Sequence, residues 1–183
     1  TALPDVEAFV EIDKASGNVL SGRGNGTIDL KVDSETFDIN GDYTLTSGNY
    51  KFVVLGLASR DFSIKDGSSI RFGGDIMEST LDIDATYRTK AALSTLISDT
   101  TSVANKRIVD CGISITDKLS NPRLGFSIEI PDLDPMVKSR VESALSTEDK
   151  VQKQFLSHIV SHTFLPDEQS GFVNNTSMPY STV

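Results

Sequence analysis

A chain of 183 residues with 26 acidic and 17 basic side chains carries a formal net charge of −9, a sign that repels phosphate backbones and gains nothing from anionic lipid headgroups, so nucleic acid and a polybasic membrane contact are set aside as partners. The single cysteine, Cys111, excludes an intramolecular disulfide and a four-cysteine zinc module. At 38% hydrophobic and 23% charged residues the composition is that of a soluble globular chain, long enough for one domain with a core or for a slice of an elongated protein.

The chain opens at Thr1 without a methionine and enters a strand pattern at once, so it reads as a piece of a longer chain whose targeting segment lies elsewhere. Val6, Ala8, Val10 and Ile12 are apolar at every second position. Gly22-Arg23-Gly24-Asn25-Gly26 follows, and without the Lys-Ser/Thr of a phosphate loop it is read as a hairpin turn. Alternation resumes at Ile28, Leu30 and Val32, then at Phe37, Ile39, Gly41, Tyr43 and Leu45, then at Tyr50, Phe52 and Val54. It continues through Phe62 and Ile64, Ile70 and Phe72, and Leu81, Ile83, Ala85 and Tyr87, with Asp82 and Asp84 in the opposite phase. Val109, Cys111, Ile113 and Ile115, and then Leu124, Phe126, Ile128 and Ile130, complete the series. Turn signals at Ser47-Gly48-Asn49, Lys65-Asp66-Gly67 and Gly73-Gly74-Asp75 predict roughly eight to ten short strands in an antiparallel meander. No apolar run is long enough to span a bilayer as a helix.

Ten of the 13 glycines fall within the first 74 residues and five of the six prolines at or after Pro122, so the last third is built differently. A short helix is expected around Ala91 to Ile97. Asp134-Pro135 pairs an N-cap with a first-turn proline and predicts a helix over about 135–146. Ser146-Thr147-Glu148-Asp149 opens a second, over about 148–164, with Val151, Phe155, Leu156, Ile159 and Val160 on one stripe. Residues 1–165 are thus read as one domain and 166–183 as an irregular tail.

Period-two alternation gives each strand one apolar face. Two or three short helices cannot cover so wide a sheet, so it must close, fold over or coil into a trough. The expected fold is mainly β, an antiparallel curved sheet with an apolar concave face and two short C-terminal helices. Phe52, Val54, Phe62, Ile64, Ile70, Phe72, Leu81, Ile83, Tyr87, Ile113, Phe126 and Ile128 are expected to line the concave face, with Asp82 and Asp84 facing solvent. If the trough leaves a groove, it suits something greasy.

Reactive constellations are missing. His158 and His162 stand four apart on a helix, but residue 159 is Ile and no third histidine exists, so both are read as surface histidines and no metal site is expected. Cys111, in phase with its apolar neighbours, reads as a buried structural thiol. Asp38, Asp42, Asp82 and Asp84 read as a solvated outer face rather than a cation site. Asn25-Gly26-Thr27, Asn174-Asn175-Thr176 and Asn175-Thr176-Ser177 match a glycosylation pattern that matters only in a eukaryotic secretory setting. No catalytic residue and no cofactor is assigned.

Four stretches and a helix, in order, resemble the C-terminal domain of the TamB family, the periplasmic subunit of the translocation and assembly module of Gram-negative bacteria, in a Bacteroidetes-like form. They are Gly41-Asp42-Tyr43 with Gly48-Asn49-Tyr50-Lys51-Phe52, the unit from Phe62 through Lys65-Asp66-Gly67 to Phe72-Gly73-Gly74, Leu81-Asp82-Ile83-Asp84-Ala85-Thr86-Tyr87, Leu119-Ser120-Asn121-Pro122-Arg123-Leu124-Gly125-Phe126, and the helix Val151-Gln152-Lys153-Gln154-Phe155-Leu156-Ser157. Together they cover about residues 36 to 165. The chain departs from the family pattern at Asp75-Ile76, where Asp-Pro is common, and at His158-Ile159, where Leu-Leu is common. The resemblance implies a non-enzymatic module folded as a taco-like sheet, in a protein anchored in the inner membrane and reaching across the periplasm. It implies an outer-membrane barrel partner with POTRA domains, a role in inserting outer-membrane proteins and autotransporters, and a trough for lipid acyl chains or nascent outer-membrane strands. A structural β-solenoid spacer or interaction domain with a filled core is the alternative.

Overall fold

The structure, a computed structural model, describes residues 2–13, 15–33, 35–98 and 106–167. The tail predicted for 166–183 lies outside these residues except for its first two, as do the two C-terminal glycosylation patterns. Seven strands form one antiparallel sheet in chain order: β1 (Ala2–Asp13), β2 (Asn18–Val32), β3 (Phe37–Val54), β4 (Ala58–Ile64), β5 (Ser69–Ala91), β6 (Arg107–Lys118) and β7 (Arg123–Glu129). Helix α1 (Ser94–Ile97) follows β5, and α2 (Pro135–Ala144) and α3 (Glu148–Ser161) follow β7. The mainly antiparallel class and the two late helices agree with the sequence reading. Asp134 caps α2 by accepting from the Met136 and Val137 amides with Pro135 in its first turn, and Thr147 caps α3 through the Lys150 amide.

The strands are fewer and longer than expected because three glycine signals lie inside strands. Ser47-Gly48-Asn49 is not a turn. Arg23 pairs with Ser47 and Gly24 with Leu45, so Thr46 is an extra residue on β3, a β-bulge that flips the alternation between Leu45 and Tyr50. Gly73-Gly74-Asp75 lies within β5, where the buried phase changes from Ile70 to Ser79 and Leu81 as the strand passes from β3 to β6. Gly74, at φ +101°, supplies a backbone that other residues rarely adopt.

Gly22 to Gly26 is likewise mid-strand, in β2. A Cβ on Gly22 would lie 2.6 Å from Leu45 Cδ2, and one on Gly26 would lie 3.1 Å from Tyr43 Cδ2. The missing side chains make a slot in which Leu45 and Tyr43 of β3 lie over β2, and the Tyr43 hydroxyl crosses it to donate to the Val6 carbonyl of β1. Of the four predicted turns, the structure keeps Lys65-Asp66-Gly67.

β3 divides its pairing. Its first half (Ile39–Thr44) meets β5 and its second (Asn49–Val54) meets β4, which then meets Ile64–Ser63 to Ala85–Thr86 of β5. The sheet coils until strands far apart in its order touch. Phe52 of β3 and Phe126 of β7 have ring centroids 6.0 Å apart. A cleft of about 620 Å³ separates the β1–β2 turn (Asp13, Asn18) from the β6–β7 turn (Leu119 to Pro122).

Candidate functional site

The inside of the coil is mostly apolar. Phe62 and Ile83 are fully buried, as are Ile113, Leu81 and Ile70 to within 2%. Phe52, Val54 and Ile64 are buried, while Phe72, Tyr87, Phe126 and Ile128 are half-buried against the same cluster. All twelve residues chosen from the sequence therefore belong to one cluster, with Asp82 and Asp84 on the exposed face. Alternation places them there because a strand in a coiled sheet has one inside and one outside.

The two ends of this trough differ. Where β3 ends, α3 lies across β3, β4 and β7. Phe155 is fully buried among Phe126 (ring centroids 4.6 Å), Phe62 (6.0 Å) and Phe52 (6.1 Å). Where β3 begins, the same face is uncovered. Leu30 is 59% exposed, Val32 76% and Phe37 54%. Leu30 pairs with Ile39 and Val32 with Phe37, and all four continue the inward phase of Leu20 and Leu45. Along β3 the uncovered mouth and Phe52 are about 50 Å apart. The sequence held the signal for this mouth in its alternation, and the twelve chosen residues did not include it.

The histidine expectation is corrected. His158 is fully buried, its ring stacked on Phe164 at 4.9 Å, and neither ring nitrogen has a hydrogen-bond partner. The α3 stripe is wider than its apolar residues suggest, because the chain after α3 folds back and brings Phe164 over the imidazole. Burial, with His162 and Arg60 nearby, lowers the His158 pKa to about 4. His162 is exposed, 3.4 Å from the Tyr87 hydroxyl.

Other interior polar groups are few. The Tyr50 hydroxyl and Ser79 Oγ are buried without partners, and burial raises the Tyr50 pKa. Cys111 is a buried free thiol whose pKa burial pushes up to about 12. The described residues contain no cluster of three or more potential metal ligands. On the outer face, β4 to β7 form a polar concavity of about 890 Å³, lined by Ser63, Thr86, Ser114 and Ser127 among others. Arg88 there holds Asp110 through two 2.7 Å bonds and lowers its pKa.

The family model described as TamB C-terminal domain matches residues 4–178. No curated protein and no solved structure matches the chain. Among the described residues no helix is long and apolar enough to cross a membrane.

Proposed function

The chain belongs to the TamB C-terminal domain family, and from that premise we propose that residues 1–165 are a non-enzymatic periplasmic module of a translocation and assembly protein anchored in the inner membrane. Its trough takes lipid acyl chains or nascent outer-membrane strands, and it works with an outer-membrane barrel partner carrying POTRA domains. Outer-membrane protein and autotransporter insertion, and intermembrane phospholipid transport, are the processes it serves. The observation that supports this reading is the uncovered apolar mouth at Leu30, Val32 and Phe37, on the same strand faces as the buried Leu20 and Leu45. Exposed apolar surface of this kind is retained where something covers it in use, and each methylene of an acyl chain laid there gains about 0.8 kcal/mol.

The mouth also gives the cleaner test. Ile83 and Phe72 sit within the packed cluster, so a charge there disturbs folding. Leu30→Asp with Val32→Asp alters exposed positions and should leave the circular dichroism unchanged. In the full-length protein this pair should abolish support of envelope integrity, and in the purified chain it should remove co-purifying phospholipid from a lipid extract read by mass spectrometry. Lys31→Glu, on the opposite face, should change neither. A folded mouth variant with full envelope function would refute the conduit reading. The spacer alternative would then stand, favoured by the complete burial of Phe62, Ile83 and Ile113.

A further inference from the structure

The β3–β4 hairpin ends in two leucines held out into solvent. Val54 and Ala58 are Cα partners at the end of its stem, and the Leu57 amide donates to the Val54 carbonyl at 2.8 Å. Between them Leu55 and Gly56 stand at φ +48° and +69°. Positive φ at both central residues is the pattern of a type I′ turn, which selects Asn, Asp or Gly and rarely a leucine. Leu55 is 88% exposed and Leu57 74%. Leu55 therefore costs the fold twice, in backbone strain and in apolar surface left in water. The stem beneath is firm, since Phe52, Val54 and Phe62 are buried in the core.

Behind the tip stand two opposite charges. Lys51 of β3 and Asp61 of β4 are Cα partners, both exposed on the outer face. Neither makes an ion pair or a side-chain hydrogen bond among the described residues. Each is four residues from a tip leucine, about 13 Å along its strand. Residues 53–59 bear no charge, and Arg60, the other cation of the stem, lies by His158. This order fits a lipid–water boundary, where apolar groups sink about 5–10 Å and the charges behind them meet headgroups. One free cation and one free anion at the same level complement a zwitterionic headgroup, its phosphate toward Lys51 and its ammonium toward Asp61. An anionic surface would instead repel a chain of net charge −9. Two leucines also fall far short of the roughly 800 Å² a side that a stable protein interface buries, whereas a fluid acyl phase needs no matching shape.

We propose that the Leu55-Gly56-Leu57 tip is a membrane-contact site that dips into the surface of a zwitterionic bilayer, with Lys51 and Asp61 at headgroup level. The tip lies at the opposite end of β3 from Phe37 and the mouth, so the site stands whether or not the trough carries cargo.

Flotation of the 183-residue chain with vesicles of phosphatidylethanolamine and phosphatidylcholine tests this. The parent should float with the vesicles, and phosphatidylglycerol added to them should weaken binding at low salt. Leu55→Asn gives the turn the Asn-Gly sequence it prefers, so the urea midpoint should equal or exceed that of the parent. Combined with Leu57→Ser, it should lower vesicle binding by about tenfold or more. Phe9→Ser, at an apolar position 71% exposed on β1, should bind as the parent does, and so should the Leu30→Asp, Val32→Asp pair. The chain contains no tryptophan, so Leu57→Trp reports the tip alone, and its emission should move to shorter wavelength on vesicles. A parent that stays unbound while Leu57→Trp is silent overturns the site. So does a folded Leu55→Asn, Leu57→Ser variant that floats like the parent, or binding that appears only with phosphatidylglycerol. None of these results bears on the mouth, whose own variants decide the conduit reading.

Discussion

Acidification should weaken this domain through one imidazole. His158 is fully buried, faces Arg60 from β4 and His162 from the C-cap of its own helix, and stacks on Phe164. Its pKa falls from an unfolded value near 6.5 to about 4 in the folded state. The folded form therefore refuses a proton that the unfolded chain accepts, so stability is complete above about pH 6.5 and declines as pH falls toward 4. Between pH 7 and pH 5 the difference in proton uptake amounts to about 2 kcal/mol. This window lies above the range in which carboxylates such as Asp110 titrate. His158→Leu removes the titration and the two unmet nitrogens, so at pH 7 the variant should equal or exceed the parent by about 1 kcal/mol. Urea denaturation followed by circular dichroism at pH 7 and pH 5 measures both quantities. A His158→Leu variant that loses as much stability as the parent over that interval would refute the reasoning, since the loss would then originate elsewhere.

Tyr50→Phe removes a buried hydroxyl that has no partner among the described residues, and it should be neutral or stabilising by up to about 1 kcal/mol in the same urea assay. Cys111→Ala should cost about 1–2 kcal/mol through packing alone, and the native thiol, with its pKa near 12, should resist a disulfide reagent until the chain unfolds. Gly41→Ala should be more damaging, at about 2–4 kcal/mol. Its Cβ would meet the Thr27 carbonyl oxygen at 2.0 Å with φ at +132°, and a urea midpoint within error of the parent would contradict that geometry.

Period-two alternation from Val6 to Ile130 was enough, without any structure, to assign the β class, the inward set from Phe52 to Ile128 and the outward Asp82 and Asp84. Side-chain direction in a strand is a local property, so a local pattern carries it. The helix starts at Asp134-Pro135 and Thr147 were legible for the same reason, since a cap acts within one turn. Strand length was not. Glycine looks alike in a turn and in a slot beneath a neighbour's leucine or tyrosine, and only the pairing of β2 with β3 shows which role Gly22 and Gly26 play. The bulge at Thr46 imitates a turn because both break the alternation. Burial of His158 likewise escaped the sequence, because it depends on Phe164 folding back over α3. Which part of the apolar face is covered and which is left open was decided by tertiary structure alone. Alternation marks Leu30 and Phe62 identically, and only the reach of α3 across β3, β4 and β7 makes one a mouth and the other a floor.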